Sequence, residues 1–211
     1  MAASPRRPRR PAMLDAREAE QLAGDLDPTQ RTEAAHSAAA ALVYRGRAAA
    51  DPGLVTRLVR LVDTEGLEAV AALWADSPPG TLPGALWRLY VLRERVRQDP
   101  QTIAERYRMG MARAEVHDVV AGVASPPGPA EVIEVVDAVL SGVFAADLAV
   151  ALERAAAFCR VLATGSAIDA DFVADRDVDL AGRMTRGASS LVRTAEELER
   201  AAGMWRAGNL E

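Results

Sequence analysis

Four aspartates punctuate the first half of this 211-residue chain at nearly equal intervals, each at or just before a proline. In Asp27-Pro28, Asp51-Pro52 and Asp99-Pro100 a good N-cap residue stands immediately before a proline. At the first helical position the missing proline N–H costs nothing and its fixed φ suits the helix. Asp76-Ser77-Pro78 falls between the last two, so the aspartates are 24, 25 and 23 residues apart. That interval is the length of one helix plus its turn. No side-chain signature recurs between the caps, so the spacing predicts successive packed helices rather than a solenoid.

Hydrophobic periodicity extends the same reading along the chain. Helices are expected at 14–23, 28–49, 52–62, 65–75, 82–98, 100–114, 129–143, 147–163 and 178–206. The best candidate strand, EVIEVVDAVL at 131–140, is rich in β-branched residues. Its polar positions Glu131, Glu134 and Asp137 recur every three residues, which is a helical period. The helix at 147–163, opened by Asp147, is apolar almost all round and is therefore expected at the centre of the domain. Aromatics make up only 4% of a chain that is half apolar, so small and aliphatic side chains must build the core, which favours close helix packing. The expected fold class is all-α, a multi-helix bundle or α-hairpin array with a long C-terminal amphipathic helix. The organisation expected is a disordered basic arm at 1–12, with Met13 as an alternative start, a helical domain at 13–165, an acidic linker at 166–177 and an amphipathic helix with its tail at 178–211.

Residue usage removes several kinds of chemistry. The chain contains no lysine, so all 25 cationic side chains are arginine. Phosphate-loop lysines, Schiff-base lysines and Ser-x-x-Lys nucleophile pairs are excluded together. Cys159 is the single cysteine, which rules out an internal disulfide. The five aspartates of DADFVADRDVD, 169–179, invite a calcium loop. That register puts Leu180 where glycine must turn and Arg186 where the bidentate glutamate belongs, so a solvated linker is the better reading. His117-Asp118 and the distant His36 do not complete a metal or phosphohydrolase signature. No Gly-x-Ser-x-Gly or Gly-x-Gly-x-x-Gly turn occurs. No catalytic residue, metal or cofactor is assigned.

Two helical faces remain as binding candidates. Along 82–96, Leu82, Ala85, Leu86, Leu89, Leu92 and Val96 share one face, the expected core contact. Trp87 projects on the opposite side with Val91 and Glu94, flanked by Arg88 and Arg95. Two readings are open: Trp87 fills a second internal layer, or Trp87, Arg88, Val91 and Arg95 form a partner-binding patch of the residue types common at interface hot spots. Residues 88–113 carry seven arginines against Glu94, Asp99 and Glu105, a surplus that suits phosphate or an acidic protein. The net charge of −5 gives no reason to expect general nucleic-acid binding. In the last helix Met184, Leu191, Ala195, Leu198, Ala202 and Trp205 form a narrow seam of the coiled-coil kind. It either covers its own domain or pairs with a second copy through Leu191, Leu198 and Trp205, with the acidic linker as a swivel.

The runs LWADSPPGTLPGALWRLYVLRERVRQDP and VVAGVASPPGPAEVIEVVDAVLSGVFAADLAVALERAAAFCRV resemble a group of small, uncharacterised actinobacterial all-helical proteins, over about residues 14–163. Chains of that group sometimes carry the label of an RNA polymerase β subunit, for which this chain is far too short, and the resemblance transfers no functional residue. With no apolar run near 18 residues and no signal-peptide core, the chain is expected to be cytoplasmic and soluble. The function expected is that of a non-catalytic protein-interaction or regulatory protein docking an unidentified protein partner on the Trp/Arg face. A helical small-molecule enzyme or sensor is the alternative, and a nucleic-acid-associated regulator the third reading.

Overall fold

A computed structural model describes residues 27–48, 73–113, 128–145 and 147–211 of the protein, and within them the chain is all-α, with six helices and no strand. They are α1 (Pro28–Ala48), α2 (Leu82–Gln98), α3 (Pro100–Met111), α4 (Pro129–Ala145), α5 (Leu148–Ala174) and α6 (Val178–Arg206). The basic arm at 1–12, the helices expected at 14–23 and 52–62, most of that at 65–75, the cap at Asp51-Pro52 and the His117-Asp118 pair lie outside the described residues.

Short polar side chains set the helix starts. Asp27 accepts the N–H of Thr29 at the head of α1, Asp99 that of Thr102 in α3, Asp147 that of Ala149 in α5 and Asp177 that of Leu180 in α6. Each such oxygen satisfies one of the four N–H groups that a helix leaves unpaired at its start. Hydrogen bonds from Thr102, side chain and backbone, hold the Asp99 carboxyl below its ordinary value. Thr81, rather than Asp76, caps α2 through Gly84 N–H, and Pro83 sits in the first turn. The segment 131–140 is helical as its period requires. Glu131 reaches back to the N–H of Gly128 at 2.9 Å, the return arm of a capping box.

The central element is α5, which packs against α2, α3, α4 and α6. Its fully buried side chains include Leu148, Leu152, Phe158, Val161 and Leu162. Where α5 crosses α3 the backbones touch: a Cβ on Gly165 would lie 1.6 Å from the Arg106 carbonyl oxygen, and one on Gly110 would lie 2.1 Å from that of Val161. Only glycine permits that approach. Beside it Tyr107 and Phe158, both fully buried, stack with centroids 4.9 Å apart. The expected core face of α2 is closed, every one of Leu82, Ala85, Leu86, Leu89, Leu92 and Val96 being 5% exposed or less.

The last two helices form an antiparallel hairpin. Glu153 pairs with Arg206, and Arg160 makes two hydrogen bonds to Glu199 at 2.8 and 2.7 Å. The pairs are seven residues apart on both helices, so they share one register. The acidic linker expected at 166–177 is mostly helix, because α5 continues to Ala174 and only residues 175–177 turn the chain. Asp169, read as solvated, accepts a hydrogen bond from Arg106 Nε at 2.9 Å and ties this stretch to α3. The swivel is therefore absent from that stretch. Past α6, Gly208 adopts a left-handed φ of 72°, and the N–H groups of Gly208 and Asn209 close on the carbonyls of Trp205 and Met204. Leu210 then buries its side chain, and the Glu211 carbonyl accepts the N–H of Leu82 at the head of α2. No described helix is long and apolar enough to cross a membrane.

Candidate functional site

The outer face of α2 does not stand alone. It forms one wall of a groove of about 700 Å³, and the opposite wall is α6 from Leu180 to Glu197. Trp87, Arg88, Val91 and Arg95, the four residues singled out on α2, all line it. The floor is apolar, made by Leu92 of α2, Ile103 of α3 and Cys159 and Leu162 of α5, with the Ser166 hydroxyl beside them. Volumes of this order are typical of ligand sites, and the space also suffices for several side chains from one face of an inserted helix.

Within the groove the four residues have different jobs. Val91 is 45% exposed and Arg95 is exposed. Trp87 is half-buried, packs on the edge of the core and lies 5.7 Å from the Tyr90 ring, so it satisfies parts of both readings given above. Arg88 is committed elsewhere. Its Nε donates to Glu197 on α6 at 2.5 Å and its Nη1 to the Gly84 carbonyl at 2.8 Å, with both charged side chains less than one-fifth exposed. It is a clasp between the two walls. Glu197 is the partner that local sequence patterns do not single out. Its signal was its place beside Leu198 on the flank of the seam, where coiled-coil partners find their charges.

The arginine surplus of 88–113 is largely spent on carboxylates from other helices. Arg93, 7% exposed, pairs with Asp137 of α4 at 2.8 Å and with Glu94 at 3.1 Å, and Arg97 lies 3.6 Å from Asp137. Arg106 pairs with Asp169. On the groove's rim Arg95, Arg183 and Arg193 pair with no carboxylate among the described residues, and Arg193 meets only the Ser190 hydroxyl at 3.3 Å.

The C-terminal seam has its occupant within the chain. Leu198 is fully buried, Ala195 and Ala202 likewise, and Leu191 and Trp205 are half-buried against the core. Ala181, Ala188 and Ala201 are buried on this helix as well, while Met184 is only half-buried, and α5 of the same chain packs against it. Leu198 offers nothing to a second copy, whereas Leu191 also reaches the groove.

Cys159 on the groove floor is fully buried, and burial pushes its thiol up to about 12. The neighbouring Arg160 only partly opposes that shift. Such a thiol stays protonated at neutral pH and is a poor nucleophile. Among the described residues no three His, Cys, Asp or Glu side chains are grouped to hold a metal. No family model, no curated protein and no solved structure matches the chain, so the groove's chemistry is read from its own residues.

Proposed function

We propose that the protein is a non-catalytic interaction module that docks a protein partner in the α2–α6 groove. The observation that carries this reading is the convergence of Trp87, Val91 and Arg95 with Leu191 and Met184 around one apolar floor under a cationic rim. A half-buried tryptophan beside arginines over a desolvated floor is the composition in which interface energy concentrates. The rim arginines favour a partner segment whose apolar side chains are flanked by carboxylates. The nucleic-acid reading draws less support, because Arg88, Arg93, Arg97 and Arg106 are paired within the fold.

The test is affinity capture from nuclease-treated native extract, comparing the wild-type chain with Val91→Asp/Arg95→Glu. Both positions are exposed, so the variant should keep the wild-type melting temperature. The expected result is a protein retained by the wild type and lost by the variant. Identical capture by both, or none by either, counts against docking in this groove. The small-molecule alternative is favoured by one observation, the groove's volume. A metabolite panel read by thermal shift tests it, since a ligand of the folded state must raise the melting temperature.

A further inference from the structure

The α5–α6 hairpin carries two surfaces of opposite character. From Asp171 to Leu180, at its turn, no residue is buried, and Phe172 and Val178 are 70% and 77% exposed. The same stretch carries Asp171, Asp175, Asp177 and Asp179, with Arg176 its only cation. The groove is the complement: an apolar floor under Arg95, Arg183 and Arg193, on a chain whose overall charge is −5.

We infer that two copies of the chain pair through α6, the acidic, apolar hairpin tip of each seated in the cationic groove of the other. Apolar exposure alone would suit many partners. The four aspartates of the tip favour a cationic apolar cleft, and the chain presents one. Tip and groove lie on the same helix, with Val178 and Leu191 about 20 Å apart at 1.5 Å per residue. In the proposed pair a two-fold axis would pass within that span and offer each tip to the other copy's groove, which would close the assembly at two. Gly187 falls within the span and lines the groove, and a Cβ there would meet nothing within 4 Å. Packing within one chain explains none of the α6 glycines, 182, 187 and 203, but Gly187 is the one that lines the groove, where a missing side chain leaves room for a second copy to approach.

The pairing stands apart from partner docking, although an outside partner in the groove would compete with it. If the chain pairs but captures nothing, the groove belongs to the second copy. If it captures a protein but stays monomeric, this inference fails and docking stands.

The test is sedimentation velocity of the full chain across a wide concentration range, with two charge-reversed variants. One reverses the groove (Arg95→Glu/Arg183→Glu) and the other reverses the tip (Asp171→Arg/Asp175→Arg). The wild type should form a dimer that weakens with salt. Each variant alone should associate at least tenfold more weakly, with the melting temperature of the dilute, monomeric chain unchanged. An equimolar mixture of the two should dimerise again, because each tip then meets a groove of opposite charge. Gly187→Met should abolish pairing while leaving the melting temperature, measured at a concentration where the wild type is monomeric, equal or higher. A wild type that is monomeric up to several hundred micromolar, a mixture of folded variants that fails to recover, or a Gly187→Met chain that pairs normally would overturn the inference.

Discussion

The α5–α6 hairpin is one continuous pair of helices, but its two halves are built on different terms. Toward the α5 N-terminus the seam is closed: Leu148, Leu152 and Leu198 are fully buried, and Arg160–Glu199 and Glu153–Arg206 flank them. Toward the turn the same two helices bury small side chains, Ala170, Ala181 and Ala188, while Phe172 and Val178 face solvent. An alanine contact removes far less apolar area from water than a leucine contact. The closed half therefore carries stability and the open half carries surface.

The two halves should differ most in how they tolerate a methyl group at glycine. Adding one methyl group at Gly165 places it 1.6 Å from the Arg106 carbonyl oxygen, so α3 and α5 must separate along their whole crossing. Gly165→Ala should cost about 3 kcal/mol or more in chemical denaturation, at the upper end of overpacking effects. The same change at Gly187 meets open space within a helix and should stabilise the monomer by about 0.5–1 kcal/mol. Equal effects at the two sites would refute the division of the hairpin into closed and open halves.

Leucine and phenylalanine make the same point through cavities. Leu198→Ala empties a fully buried site and should cost about 3 kcal/mol. Phe172→Ala removes a larger side chain that is 70% exposed, and should change monomer stability by less than about 0.5 kcal/mol. Urea unfolding of both variants at a concentration where the chain is monomeric checks the ratio.

What could be read from the sequence follows the range of the interaction. Caps at Asp27, Asp99, Asp147 and Asp177 act within three residues, and the bounds of α1, α2 and α6 follow closely from them and from periodicity. The central place of α5 was legible because a helix apolar on all sides has nowhere else to go. Its true end was not. Five aspartates between 169 and 179 suggest a solvated linker to any local reading, and the bond that holds Asp169 comes from Arg106, 63 residues away. The groove was half legible: the back of α2 was marked by Trp87 and Val91, but its opposite wall depends on how α6 folds back. The seam of α6 is legible in part, through Ala195, Leu198 and Ala202, because buried alanines such as Ala181, Ala188 and Ala201 carry no apolar signal of their own, and the choice between its own domain and a second copy depends on a turn of three residues.

Arg88 joins the two walls and gives a test of intermediate size. Removing it leaves Glu197 mostly buried without its counter-charge, which should cost about 2 kcal/mol, between the effects of exposed and buried pairs. Arg88→Met/Glu197→Leu should recover much of that loss, since the desolvated charge is gone. A double variant as unstable as Arg88→Met alone would show that the clasp acts through packing rather than charge.

Cys159 reports the same burial through pH. An unfolded thiol ionises near its ordinary 9.0, while the folded one waits until about 12. Between these values the native state holds a proton that the unfolded state has lost, so stability falls as pH rises, by about 1.4 kcal/mol per unit. Cys159→Ala should show a pH-independent offset from the lost sulfur and lack this part of the alkaline slope. The difference between the two curves isolates the thiol from arginine and tyrosine titration.

The smallest effects are expected at the exposed ion pairs of the closed half. The Arg160 and Glu199 side chains are 25% and 42% exposed, so Glu199→Gln should cost only about 0.5 kcal/mol, less in high salt. The neighbouring pair has a readable acid signature instead. The hydrogen bond from Arg206 holds the Glu153 carboxyl below its ordinary 4.5. A depressed carboxylate contributes its full stability above that ordinary value and loses it as pH falls through the lower folded one. Glu153→Gln should therefore match the wild type at strongly acidic pH and fall slightly behind it above about 4.5, with the gap opening between the two values. Since Phe172 and Val178 sit in the other half, the same pH series on Phe172→Ala should leave that gap untouched. A gap that closes in Phe172→Ala would mean that the two halves respond as one unit, and the separation of stability from surface along the hairpin would have to be abandoned.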